Sequence, residues 1–152
     1  MTFTRGVRIG VDVGSVRIGL AKCDPDGILA TPLPAIRRGE GDLAAIARLV
    51  DEYQAREVIV GLPLALDGEA RLAAASVTEF ATGLASAVSV PVRLVDERLS
   101  TVAAQRRLHS AGRDTRSSRS AIDSAAATLI VQSAVDFEKS TGKRPGRMVV
   151  NP

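Results

Sequence analysis

The run RIGVDVGSVRIGLA, Arg8 to Ala21, constrains the fold more than any other stretch of the chain. Val7 to Val13 is rich in β-branched residues, Gly14-Ser15 interrupts it, and Arg17 to Lys22 resumes the apolar pattern, which predicts a β-hairpin. A carboxylate, Asp12, stands inside the first apolar run among Ile9, Val11 and Val13, where an ionised group needs a partner. A turn aspartate is the plainer reading of Asp12, but the turn itself is better placed at Gly14-Ser15.

Beyond the hairpin, Asp24-Pro25-Asp26-Gly27 is a second turn signal leading into a short strand around Ile28 to Ala30, so three antiparallel strands open the fold. Leu43, Ile46, Ala47, Leu49 and Val50 recur at helical spacing and predict a helix over Asp42 to Gln54, followed by a buried strand from Glu57 to Val60. Glu69 to about Ala87 is alanine-rich and helical, and Val90 to Val95 is another β-branched run that ends at Asp96-Glu97. Ser100 or Thr101 can cap a helix running to about Ser110, a polar loop spans Arg113 to Arg119, and a last helix runs from Ala121 to about Glu138. The tail from about Gly142 reads as irregular. The order βββ-α-β-α-β-α-α predicts an α/β fold of the ribonuclease H-like plan, a mixed five-stranded sheet with three antiparallel and two parallel strands flanked by helices. At 152 residues it is expected as a single domain.

No segment sustains the roughly 20 apolar residues of a membrane span, so no membrane partner is expected. The start lacks the apolar stretch and cleavage site of a signal peptide, and Cys23 is the only cysteine. Both point to the cytoplasm, with a disulfide between two copies through Cys23 left open. The net charge of +3 permits a polyanionic partner without requiring one. Its distribution is more telling: Arg106, Arg107, Arg113, Arg116 and Arg119 crowd around His109, and Lys143, Arg144 and Arg147 form a second group. A solvated arginine-rich surface explains such runs equally well.

In α/β sheets ligands collect where strands end, and three separate segments bring carboxylates there: Asp12 on the first strand, Asp96-Glu97 after the VPVRLV strand, and Asp123 at the start of the last helix. Clustered carboxylates repel, and a divalent cation with oxygen ligands, Mg2+ or Mn2+, makes such a cluster tolerable. Two ions roughly 4 Å apart can activate a water and stabilise the leaving oxygen of a phosphodiester. One His and one Cys supply no usual zinc set. Each acid has a plainer role: Glu97 can pair with Arg98 or Arg93, and Ser120 to Asp123 has capping-box spacing. Ala125, Ala126 and Ala127 nevertheless leave a thin helix end that can approach the sheet, with Ala127, Ile130, Ala134 and Phe137 continuing an inward face.

The motifs GVDVGSVRIGLA, ATPLPAI, VIVGLPLALDG, VRLVDERLSTVAA and AIDSAAATLIVQ, in this order, resemble the YqgF/RuvX family, described both as Holliday junction resolvases and as pre-16S rRNA nucleases. The resemblance covers nearly the whole chain and implies a ribonuclease H-like fold. It implies catalytic, metal-holding roles for Asp12, Glu97 and Asp123, with Asp96 an alternate. Arg17 and Arg98 are implied as phosphate contacts, and Arg113, Arg116 and Arg119 are expected to hold the nucleic-acid backbone rather than read bases. Two departures stand out. Ala65 replaces a common asparagine, and the loop before the last helix, often lysine-rich, is GRDTRSSRS.

The leading expectation is therefore a metal-dependent nuclease for structured nucleic acid, either pre-16S rRNA near its 5′ end or branched DNA. A resolvase cutting two strands related by a twofold works as a symmetric dimer, so the chain is expected as a monomer or homodimer. Aromatic content of 3% argues against stacking many unpaired bases. Two other classes stay open. DVGSVRIG also looks like the first phosphate motif of actin-like ATPases, which close two domains around a nucleotide, and a non-catalytic nucleic-acid-binding or ribosome-assembly factor could keep the same fold and basic loop.

Overall fold

The computed structural model describes residues 3–63, 68–97 and 124–150. Within them the opening run folds as β1 (Arg8–Val13) and β2 (Arg17–Cys23), antiparallel, with Asp12 opposite Gly19 and Val13 opposite Ile18. The Gly14 N–H donates to the Arg17 carbonyl at 2.9 Å, and a Cβ on Gly14 would lie 2.6 Å from that oxygen. The hairpin's own backbone thus demands this glycine.

The third strand lies later than the sequence suggests. β3 is Ala30–Arg37, antiparallel to β2, and Ile28-Leu29 is part of the loop before it. Asp24 explains the shift: its carboxylate accepts the N–H groups of Asp26, Ile28 and Leu29 at 3.1, 2.9 and 2.7 Å, bending the chain back on itself. The Leu29 bond is the largest of the causes that hold Asp24 below the usual carboxylate range. Pro32 and Pro34 are tolerated because β3 is a sheet edge and its register with β2 shifts between Ile18 and Leu20.

Helix and strand then alternate as expected: α1 (Asp42–Glu52), β4 (Glu57–Leu62), α2 (Gly68–Ala87) and β5 (Val92–Asp96), with β4 parallel to both β1 and β5. The last described helix, α3, is Ala125–Thr141 with Ser124 at its N-cap; the expected start at Ala121 and the helix from Ser100 to Ser110 fall outside the described residues. The tail corrects the expected five-stranded sheet. Arg147–Met148 forms β6, antiparallel to β5, and the order is β3-β2-β1-β4-β5-β6. Its anchors are tertiary: Arg93 donates to the Pro145 and Gly146 carbonyls at 2.7 and 3.2 Å, and Arg144 reaches the Glu57 carboxylate at 2.9 Å.

Strand alternation divides the apolar side chains between two layers. Ile9, Val11, Ile18, Leu20, Val58 and Val60 pack under α1 and α2, while Ala21, Cys23, Ile59 and Val95 pack under α3. Cys23 is buried there, and burial pushes its thiol up. On α3 the inward positions are Ala127, Ile130, Val131, Ala134 and Val135. Phe137, expected to join them, is 37% exposed because Glu138 takes the inward position instead. Glu138 meets Arg8, whose guanidinium also bonds Glu57 and the Gly6 carbonyl, a fully buried ion cluster with Arg144 closing its outer side. Among the described residues no helix is long and apolar enough to cross a membrane.

The α3 layer sits unusually close to the sheet. A Cβ on Gly10 would lie 2.6 Å from the Ala127 carbonyl oxygen and 2.9 Å from the Val131 Cβ, and one on Gly61 would meet the end of the Ile130 side chain. Gly10→Ala is accordingly expected to cost about 1–3 kcal/mol, because helix and strand backbone must separate. Urea denaturation would check this, and an unchanged midpoint would show that the layers can part freely.

Candidate active site at the strand ends

Asp12 belongs to the α3 side of β1 together with Arg8 and Gly10, by the same alternation that sends Ile9 and Val11 to the other side. At the end of β5, Val95 faces α3, and the alternation carries Glu97 to that side and Asp96 away from it. Between them runs β4, where Gly61 contributes no side chain; a Cβ there would lie 3.6 Å from the Glu97 Cβ. Asp12 and Glu97 therefore flank a bare stretch of strand and line one cleft of about 430 Å3.

The electrostatics agree with this proximity. Burial holds the Asp12 carboxyl above the ordinary carboxylate range. Burial also raises Glu97, and the negative charges of Asp12 and then Asp96 raise it further. Among the described residues no lysine or arginine is paired with Asp12. The other end of the same face is the reverse case, since Glu57 and Glu138 are buried with arginines against them. Two partly buried carboxylates close together at a strand edge are suited to a cation with hard oxygen ligands.

Asp123, the third expected acid, lies outside the described residues, as do Arg98, Arg113, Arg116 and Arg119. Hence no group of three potential metal ligands occurs among the described residues. The residue next to Asp123 is described. The Ser124 hydroxyl accepts the Leu20 N–H at 3.1 Å and donates to the Leu33 carbonyl at 2.7 Å, so the start of α3 is pinned to β2 and β3. Ser124 therefore makes no side-chain cap of its own helix. Arg17 opens β2, exposed, directly opposite Arg37 of β3.

Two residues of the site escaped the sequence reading. Ser124 had no signal beyond its place after Asp123. Arg38 follows β3 and lines the cleft, its guanidinium donating to the Gly14 carbonyl at 3.1 Å and to the Ser76 hydroxyl at 2.9 Å. Nothing in the local sequence marks it, since its partners lie on the β1–β2 turn and on α2.

Comparison with known proteins places these features in a family context. Residues 6–137 match the family profile described as "RuvX: Holliday junction resolvase". A protein of Nocardioides sp. named "Putative pre-16S rRNA nuclease" is 51% identical over 150 residues, 95% of this chain and 96% of that protein. A Thermobifida fusca protein of the same name is 52% identical over 152 residues, again 95% of this chain and 96% of the relative. Among solved structures, "T. thermophilus RuvC in complex with Holliday junction substrate" aligns with a TM-score of 0.64 at 14% identity, covering 91% of this chain and 99% of that one. A second structure, "Thermus thermophilus RuvC structure", aligns at 0.56 and 14% identity, covering 93% of this chain and 99% of that one. The ribonuclease H-like fold expected from the element order is thus the fold observed, with one strand more.

The raised acids have a consequence for stability. Each binds its proton more tightly folded than unfolded, so their contribution is full at acidic pH and is lost as pH rises through the raised values. In metal-free protein, Asp12→Asn and Glu97→Gln should therefore raise the thermal midpoint at pH 7.5 by roughly 2–4 °C and flatten its decline from acidic to neutral pH. Thermal melts across that range check this; a lower midpoint in both variants would contradict the repulsion.

Proposed function

The chain belongs to the RuvX family of Holliday junction resolvases, and from that membership we propose a metal-dependent phosphodiester nuclease that acts on structured nucleic acid, processing the 5′ end of pre-16S rRNA. The observation that carries the reading is the pair Asp12 and Glu97, two half-buried carboxylates with raised proton affinity lining one cleft at the strand ends. The substrate assignment is supported by relatives at about half identity that carry the pre-16S rRNA nuclease name. The reading places the protein in the cytoplasm, with precursor ribosomes.

Asp12 and Glu97, joined by Asp123, would hold Mg2+ or Mn2+, and the donor set fits, being made of carboxylate oxygens alone. When bound, such an ion supplies an activated water and neutralises charge on the leaving oxygen. The protein's own residues do the positioning. Gly61 lets the Ile130 side chain of α3 seat directly on β4 beside Glu97, which fixes the helix against the strands that carry the acids. Ser124 fixes the start of α3 over β2, next to the strand carrying Asp12. The arginines Arg17, Arg98, Arg113, Arg116 and Arg119 are assigned to the nucleic-acid backbone, where a guanidinium matches phosphate geometry.

The test compares the intact protein with Asp12→Asn, Glu97→Gln and Asp123→Asn, in Mn2+, on precursor 16S rRNA and on a four-way DNA junction side by side. Cleavage of the rRNA is expected, with each variant slower by at least about a hundredfold while binding persists. Cleavage of the junction alone would reassign the substrate to branched DNA, toward the activity in the family's description. Equal binding by all four proteins without any cleavage would reduce the chain to a non-catalytic binding factor.

A further inference from the structure

Arg38 is built into the site more firmly than a surface arginine needs to be. Its backbone N–H donates to the Val16 carbonyl at 2.8 Å, while its side chain reaches the Gly14 carbonyl and Ser76 of α2. It is half-buried, and among the described residues no carboxylate is paired with it. A guanidinium has more donors than these bonds use, so N–H groups remain available to an incoming acceptor.

The same side chain separates two adjoining clefts. Arg38 and Ser76 line the cleft of Asp12 and Glu97, and they also line a second one of about 320 Å3 between α1 and α2. That second cleft contains Phe80, whose ring centroid lies 5.9 Å below the Arg38 guanidinium carbon, with Leu43 and Gly83 beside it. Its two acids make it a poor place for a phosphate. Asp42 already accepts the Gly39 and Leu43 N–H groups at 3.0 and 2.7 Å, and Glu79 is an exposed acid at the rim. An aromatic face with carboxylates nearby suits a nucleobase, whose amino groups donate.

Resting on the nuclease reading, we propose that Arg38 holds the backbone phosphate next to the scissile one and that the second cleft takes the unpaired base of that nucleotide against Phe80. The substrate this selects is a nucleic acid with at least one unpaired nucleotide flanking the cut. One stacking position, rather than many, is compatible with a chain that has only three phenylalanines, one tyrosine and no tryptophan.

The experiment measures binding, in Ca2+ without turnover, of a labelled duplex with a single-stranded extension and of the same duplex blunt-ended, across a salt series. Arg38→Gln should weaken binding of the extended ligand about tenfold and lower its salt slope by about one, sparing the blunt duplex. Arg38→Lys keeps the charge and should keep the slope, which separates phosphate contact from a purely structural clasp. Phe80→Leu should weaken the extended ligand about fivefold without changing the slope. Should Arg38→Gln fail to fold, Arg38→Lys and Phe80→Leu still decide, because equal losses on both ligands would overturn the proposal. Unaltered binding by Arg38→Gln while the intact protein cuts rRNA would overturn this inference alone. Failure of the intact protein to bind either ligand would take the nuclease reading with it.

Discussion

The approach of α3 to β1 and β4 is the constraint on which the rest of the molecule depends. Helix and sheet ordinarily keep a full layer of side chains between them, but here the sheet presents Gly10 and Gly61 where the helix backbone and Ile130 come nearest. Ala127 on the helix completes the thin contact. Because the layers meet so closely, the beginning of α3 lies low over the sheet, and Ser124 can bond the backbone of two strands at once. A side chain at Gly61 would collide with Ile130 and press on Glu97, so one small residue ties the packing of α3 to the site.

Along that same face, charge is treated in opposite ways at the two ends of the strands. At the start of β1 and β4, Arg8, Glu57, Glu138 and Arg144 neutralise one another, and the Thr4 N–H supplies a further bond to Glu138 at 3.0 Å. Such a cluster can be costly relative to an apolar core, yet it ties β1, β4, α3 and the C-terminal tail into one register. At the far end of these strands Asp12 and Glu97 repel one another and are partly desolvated. The difference is chemical: at one end opposite charges meet, and at the other two like charges are held close together.

Much of this was legible before any coordinates. Asp12 stood out because a charge in a β-branched run contradicts its surroundings, and Glu97 because it follows such a run. The resemblance favoured Glu97 over Asp96, and side-chain alternation along β5 agrees in putting Glu97 on the side of Val95, which faces α3. The alanines before Leu129 announced a thin helix face, but the matching glycines on two distant strands became meaningful only when paired with them. Phe137 and Glu138 exchange their expected roles because a buried arginine four residues before Asp12 gives the acid a partner, which an apolar periodicity takes no account of.

The sequence by itself determined the element types, the hairpin with its acid among apolar residues, the alternation that makes β1, β4 and β5 parallel, and the family, since these depend on local propensity and on ordered motifs. Tertiary structure alone decided the sixth strand, the place of Arg38 and the anchoring of Ser124. Each of these depends on a bond between groups far apart in the chain, such as Arg93 to Pro145, Ser124 to Leu33 or Arg38 to Ser76. A periodic pattern records which face of an element is apolar; it holds no record of which distant carbonyl or hydroxyl will meet a given side chain.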